Sequence, residues 1–371
     1  MKARWLVAVA AALLLAGACA DSPTEESDDG GSGAQDQTTG YEEVLSESEG
    51  LTGKARTDKL VELAGEEGGT LNVYTSMTSD VEDAVADAFG DTYDIDVSVY
   101  RADSETVLQR LLQESQADFP GADIAETNGT ELFVLNYEGV LAPYESDLQD
   151  GLVEGSVYEG WTADRFNKFV ISWNTESVPQ GEQPKTWEEL ADPKWDGQLA
   201  MEPSDIDWYK TLYEYWVNEA GKSEEEANKL FEDMASDALF VKGHTLTGDL
   251  LGAGDFQVAA SNYSYLVEGV IREGAPVAWE PPVEPIITRP NGVGLVRNGQ
   301  HPATAILFVD WILTDGQEVL QEFALDPARS DLATAPNTEE IFVDLESLTA
   351  EQEEWTDRYE QLVELGKVVE E

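Results

Sequence analysis

The residues with most chemistry to offer stand where apolar strand-like runs give way to helix-like ones. Thr75-Ser76-Met77-Thr78 follows the run at 71–74 and sets hydroxyls beside the free N–H groups of a helix start, which suits an anion. Arg101 ends the second such run, and Glu126-Thr127-Asn128-Gly129 ends the third. Glu202-Pro203-Ser204-Asp205-Ile206-Asp207-Trp208-Tyr209 leaves a strand for a helix, with Asp207 and the aromatic Trp208 at its start. Lys242-Gly243-His244-Thr245 joins a cation, an imidazole and a hydroxyl, and Asn262-Tyr263-Ser264-Tyr265 an amide and alternating phenols. Such groups recognise a small polar solute. Structural uses compete at each place: Thr78 and Ser104 are of the type that caps helices. Acids at a helix start are stabilised by its dipole, and Arg101 can pair with Asp103. For Thr75 and Ser76, binding and capping both stand open.

These phrases need a scaffold that gathers strand ends. Residues 71–74, 95–100 and 122–126 read as strands, with apolar stripes of helical spacing between them, such as Val81, Val85 and Phe89. That alternation predicts a parallel sheet with right-handed crossovers, whose ligands collect at the carboxyl ends of the strands. A second unit opens with a strand at 169–174. It continues through helices at 207–220 and 223–236, a strand at 239–242, a helix from Thr245, a strand at 256–260 and a helix at 263–273. The Pro-rich passage 276–290 reads as a crossing between units, after which 293–296 and the apolar helix 303–313 rejoin the first. Residues 349–371 form a last helix with Trp355, Tyr359 and Leu362 on its apolar face.

Composition excludes whole classes of function. The 371 residues hold 76 Asp and Glu against 21 Lys and Arg, a net charge of −55, which rules out a general nucleic-acid surface. Self-repulsion on that scale calls for screening salt. Neither His244 nor His301 lies in a metal-protease motif, and no nucleophile elbow, Walker loop or calcium-hand loop is present. No enzyme is expected. A secreted surface enzyme is the rival of another class, and it would need a nucleophile or base beside an oxyanion hole.

Cys19 is the single cysteine, so the chain has no internal disulfide and no thiolate metal site. It follows Lys2, Arg4, an apolar run over 5–18 and the small residues Ala16, Gly17 and Ala18, the pattern of a secretory signal peptide. A cysteine at the cut resembles the lipobox of bacterial lipoproteins, with Ala16 where that motif usually has Leu. The expectation is a leader over 1–18, a lipid on Cys19, and a disordered acidic tether over 19–67, in which 57–64 already has helical character.

From Leu71 to about Phe323 the chain resembles the ABC-transporter substrate-binding proteins of the ferric-iron-binding type. The phrases that carry this are Tyr100-Arg101-Ala102-Asp103-Ser104, residues 123–129, Asn291-Gly292-Val293-Gly294-Leu295 and, most specifically, Pro184-Lys185-Thr186-Trp187-Glu188-Glu189-Leu190-Ala191-Asp192-Pro193-Lys194-Trp195-Asp196-Gly197. The resemblance implies an α/β, two-lobed periplasmic-binding-protein-like fold (type II) with hinge crossings, lobe 1 over 68–167 and 283–371, lobe 2 over 168–282. It implies an exported monomer, tethered by lipid to the outer face of the cell membrane, that hands its solute to ABC permease subunits and carries no cofactor. Ferric iron or a ferric complex is the transported ligand the resemblance suggests first. A small organic anion, phosphonate or carboxylate, is the alternative. Iron-binding relatives use two adjacent tyrosines, which fall here on Ser264 and Tyr265, so Tyr265 and Glu126 are the metal-ligand candidates. The wider candidate set is Thr75, Ser76, Arg101, Glu126, Thr127, Asn128, Asp207, Trp208, Lys242, His244, Thr245, Tyr263 and Tyr265.

Overall fold

The computed structural model describes residues 40–333 and 338–369, so the leader, Cys19 and the first part of the expected tether lie outside the described residues. Two helices open the described chain, α1 (Gly40–Glu47) and α2 (Gly53–Glu66). Strand–helix alternation follows as expected: β1 (Thr70–Thr75), α3 (Ser79–Tyr93), β2 (Asp96–Arg101), α4 (Ser104–Gln116), β3 (Ile124–Asn128) and α5 (Gly129–Tyr137). The short strands β4 (Leu141–Ala142) and β5 (Val157–Tyr158) lead into the long β6 (Trp161–Asn174). Next come β7 (Leu199–Met201), α6 (Ile206–Asn218), α7 (Glu224–Ala235), β8 (Leu239–Val241), α8 (His244–Ala253), β9 (Val258–Tyr263), α9 (Ser264–Arg272) and β10 (Val277–Ala278). A second long strand, β11 (Ile286–Val296), precedes α10 (Pro302–Ile312), α11 (Gly316–Glu322), β12 (Asp326–Pro327) and β13 (Glu340–Phe342). The chain closes with α12 (Leu345–Ala350), α13 (Gln352–Val363) and β14 (Lys367–Val369).

One mixed sheet runs β14-β8-β7-β9-β6-β11-β3-β1-β2. β1, β2 and β3 pair in parallel on one side, and β7, β8 and β9 do so on the other. The two halves are the two lobes, joined by β6 and β11, which pair antiparallel along most of their length. Both joining strands are buried throughout, apart from half-buried Lys168, although they carry Asp164, Arg165, Asn167, Arg289 and Asn291. Polar residues inside buried strands break the hydrophobic pattern. For that reason residues 161–168 and 286–292 do not read as strand in the sequence.

Two boundaries need correction. Residues 40–66 are folded helices rather than tether: Tyr41 and Leu60 are buried, and the Tyr41 hydroxyl donates to the Val296 carbonyl at 2.9 Å. Arg56 pairs with Asp310 of α10 at 2.6 Å, and Glu67 accepts the N–H groups of Ala303 and Thr304 at that helix's start. The acidic composition hides this because the apolar residues are few among many acids and polar residues. The end of the chain, α13 and β14, expected in lobe 1, packs against lobe 2. There β14 pairs with β8, and Tyr359 of α13 stacks on Tyr209 of α6 with centroids 5.2 Å apart.

The acidic surface yields a first expectation. From about 0.1 M to about 1 M NaCl the Debye length shrinks from about 10 Å to about 3 Å, so repulsion among exposed carboxylates is largely removed. The thermal unfolding midpoint should rise steeply over that range, followed by circular dichroism. A flat midpoint would show that the surface charge is not what limits stability.

Candidate functional site

The site is one face of the sheet where the lobes join. Side chains alternate along a strand, so register decides which of them share a face. Thr75 of β1 lies opposite Glu126 of β3, and Asn128 of β3 lies opposite Asn291 of β11. Asn291 then faces Arg165 of β6, Arg289 faces Asn167, and Phe169 faces Tyr263 of β9. The contacts follow the register. The Thr75 hydroxyl donates to Glu126, and Arg165 donates to Glu126 at 2.5 Å and to Asp164 at 3.0 Å. Arg289 reaches Asp207 at 2.6 Å, Tyr263 at 2.9 Å and Asn128 at 3.0 Å, while Asn291 donates to Asn128 at 2.8 Å.

Burial and charge set the protonation of this face. Burial pushes the Asp164 carboxyl up to about 7, with Arg165 pulling it back and Glu126 adding to the push. Burial opposes the charge of Arg289, but Tyr263, Asp207 and Glu131 outweigh it and keep the guanidinium protonated. The Tyr263 phenol is held well above its ordinary value by burial, and Tyr265, at the start of α9, is pushed up to about 12 for the same reason. A third cluster lies in lobe 2, where Asp205 meets His244 at 3.1 Å and accepts from Ser261 at 2.5 Å. His244 also stacks on Tyr263 at 3.8 Å. Burial lifts Asp205 to about 6 against the pull of His244. Burial disfavours the imidazolium, and the Asp205 carboxylate outweighs it, so the His244 pKa is raised.

Those shifts fix a pH dependence. Asp164, Asp205 and His244 all bind protons more tightly in the folded chain than in the unfolded one, so folding stability falls as pH rises through their folded values. Urea unfolding should give a lower free energy at about pH 8 than at about pH 6. A higher value at about pH 8 would contradict these assignments.

The sequence candidates divide. Thr75, Glu126, Asn128, Asp207, Tyr263 and His244 are brought together as described. Ser76 and Thr127 join them through a 2.9 Å hydroxyl contact. Arg101 is exposed and spends its Nε–H on the Met77 carbonyl at 3.0 Å rather than on Asp103. Lys242 and Thr245 are exposed at the start of α8. Lys242 stands close enough to the first lobe to help Thr106 hold Asp103 below its ordinary value despite burial. Ser104 is not a cap: Asp103 accepts the Thr106 N–H at 3.0 Å, and Ser104 donates to Glu131. Trp208 is no solute contact. It is fully buried, packed against Trp187 and Phe231. The residues that sequence reasoning missed are Arg165, Asn167, Arg289 and Asn291. Their signal was available as Arg-x-Asn on each joining strand, an alternation that puts both side chains on one face.

The family described as "Bacterial extracellular solute-binding protein" matches residues 135–338, more than half of the chain. The chain belongs to this family. Its members are transport-binding proteins of ABC-importer type rather than enzymes, work outside the cytoplasm and deliver their solute to a permease. A relative from Synechocystis, "Iron uptake protein A2", is 23% identical over 265 residues, 66% of this chain and 73% of the relative. Among solved structures, iron-bound HitA from Pseudomonas aeruginosa superposes with a TM-score of 0.65 at 18% identity, covering 79% of this chain and 99% of that one. AfuA from Actinobacillus pleuropneumoniae, with exogenous fructose-6-phosphate bound, gives 0.69 at 20% identity, covering 80% and 99%. These likenesses establish the two-lobed binding-protein fold of this solute-binding chain.

Proposed function

We propose that this solute-binding protein captures a small hydroxylated oxyanion, a phosphate ester or sugar acid, between its lobes. The observation that carries the reading is the pair of buried arginines on one sheet face, Arg165 and Arg289, each 4% exposed, held by the carboxylates of Glu126, Asp164 and Asp207 with the Asn128 amide and Tyr263 hydroxyl beside them. An arginine fork is the preferred partner of carboxylate and phosphate. Hydroxyls of the solute suit Thr75, Ser76, Thr127 and the amides of Asn128 and Asn167. The neighbour holding fructose-6-phosphate supports this chemistry.

The second reading is a ferric complex, favoured by the iron-uptake relative and by Tyr265 and Glu126 near the same arginine. Bare ferric ion fits less well. It needs deprotonated oxygen donors, and here Ser264 fills one tyrosine position while the Tyr263 and Tyr265 phenols are both pushed upward.

Thermal shift and calorimetry against fructose 6-phosphate, a sugar acid and ferric citrate test the choice. A true solute at about 100 times its Kd adds about 2.7 kcal/mol of stability. Stabilisation by ferric citrate alone would overturn the oxyanion reading. Cys19 is proposed to carry the lipid that keeps the protein beside its permease, and Cys19→Ser should move it from the membrane fraction to the medium. Retention of the variant in the membrane would refute the anchor.

A further inference from the structure

We propose that Asp207 is a specificity-determining residue that ties the lobes through Arg289 and must give up that arginine to the anion of the solute. The inference rests on the oxyanion reading above.

Arg289 sits on β11, where the chain passes between lobes. Its Nη2 donates to Asn128 of the first lobe and to Tyr263 of the second, and its Nη1 donates to Asp207 at the start of α6. One guanidinium therefore joins both lobes, and every partner is a protein group. Asp207 engages it with one prong only. The buried Nε–H has no partner among the described residues, and neither do Asn167 Oδ1, opposite Arg289 on β6, and Asn291 Oδ1, two residues along β11. An orphan guanidinium donor beside orphan amide acceptors asks for a ligand that accepts and donates, as a hydroxylated oxyanion does. The rings of Phe169 and Tyr263, 5.5 and 5.3 Å from the guanidinium carbon, keep the pair dry and strong.

Asp207 stays a competitor because its position favours the anion. It lies in the first turn of α6, where the helix dipole stabilises negative charge, and its Oδ1 accepts the Trp208 N–H at 2.9 Å. A neutral solute cannot displace a carboxylate from an arginine. A singly charged one offers no more charge than Asp207 itself. A phosphate dianion does, and it can take both edges of the fork. Asp207 thus sets a charge threshold for entry.

The test uses the full chain with Cys19→Ser, comparing it with Asp207→Asn and Asp207→Ser variants by calorimetry. Fructose 6-phosphate should bind Asp207→Asn about tenfold more tightly, and gluconate, a monoanion, should gain measurable affinity. Weaker binding of both would make Asp207 a direct solute contact and overturn the proposal. If neither probe binds any of the proteins, the oxyanion reading itself fails, and the competition with it. With no other cysteine present, spin labels on Gln109→Cys and Asp249→Cys report the distance between lobes without added solute. Asp207→Asn should broaden that distance towards longer values, and an unchanged distribution would remove the tie between lobes.

Discussion

Arg165→Met is expected to lose about 3–5 kcal/mol of unfolding free energy at about pH 8, because it strands two buried carboxylates around an uncharged side chain. Glu126 and Asp164 both lean on this one cation, at 2.5 and 3.0 Å, and neither is open to water. Asp164 already sits near 7 with the arginine in place, since burial outweighs the attraction. Without the cation Asp164 loses the pull that opposes burial and binds its proton more tightly still in the folded variant. The deficit is then complete above the folded pKa of Asp164 and shrinks as pH falls through it. Urea unfolding at about pH 8 and about pH 5.5 separates this from simple loss of packing, which would give the same deficit at both. The variant should also lose the proposed oxyanion binding, since Arg165 is one of the two forks on the candidate site face.

The same residue shows what was legible in the sequence and what was not. The α/β alternation of the first lobe could be read because β1 and β3 keep their apolar residues inside and polar ones at their ends, where Thr75, Glu126 and Asn128 mark the site. Lobe 2's elements could be read from 199 to 272 for the same reason. The joining strands could not. Hydropathy treats Asp164-Arg165-Phe166-Asn167-Lys168 as loop, yet all but Lys168 of these residues are buried in β6. Their charges are tolerable there only because partners from β3, β11 and α6 meet them, and those partners are far away in sequence. Trp208 fails in the opposite direction. An aromatic beside acids at a helix start looks like a ligand platform, but one residue of helical rotation turns it from the site into the core.

Ending the chain at Glu351 should unfold lobe 2 while leaving β1–β3 protected, although nothing removed touches the proposed solute. Helix α13 supplies Trp355 and Tyr359, which enclose Tyr209 of α6 at 5.4 and 5.2 Å, and Trp355 also packs on Tyr213 at 5.2 Å. The Tyr359 hydroxyl donates to the Glu202 carbonyl at 2.8 Å, holding the turn that leads to Asp205 and Asp207. Beyond it, β14 extends the sheet alongside β8. Deleting one large buried aromatic costs about 3–5 kcal/mol. Two such losses approach the roughly 5–15 kcal/mol that holds a domain together. Tyr359→Ala alone should show the lower figure in urea unfolding. Hydrogen exchange on the truncated chain would locate the damage, with β7 and β8 losing protection before β1 and β2. Uniform protection would mean the segment is an appendage. The expected asymmetry instead makes α13 a structural support of the proposed solute site: α6 presents Asp207 to Arg289 only while α13 holds its other face.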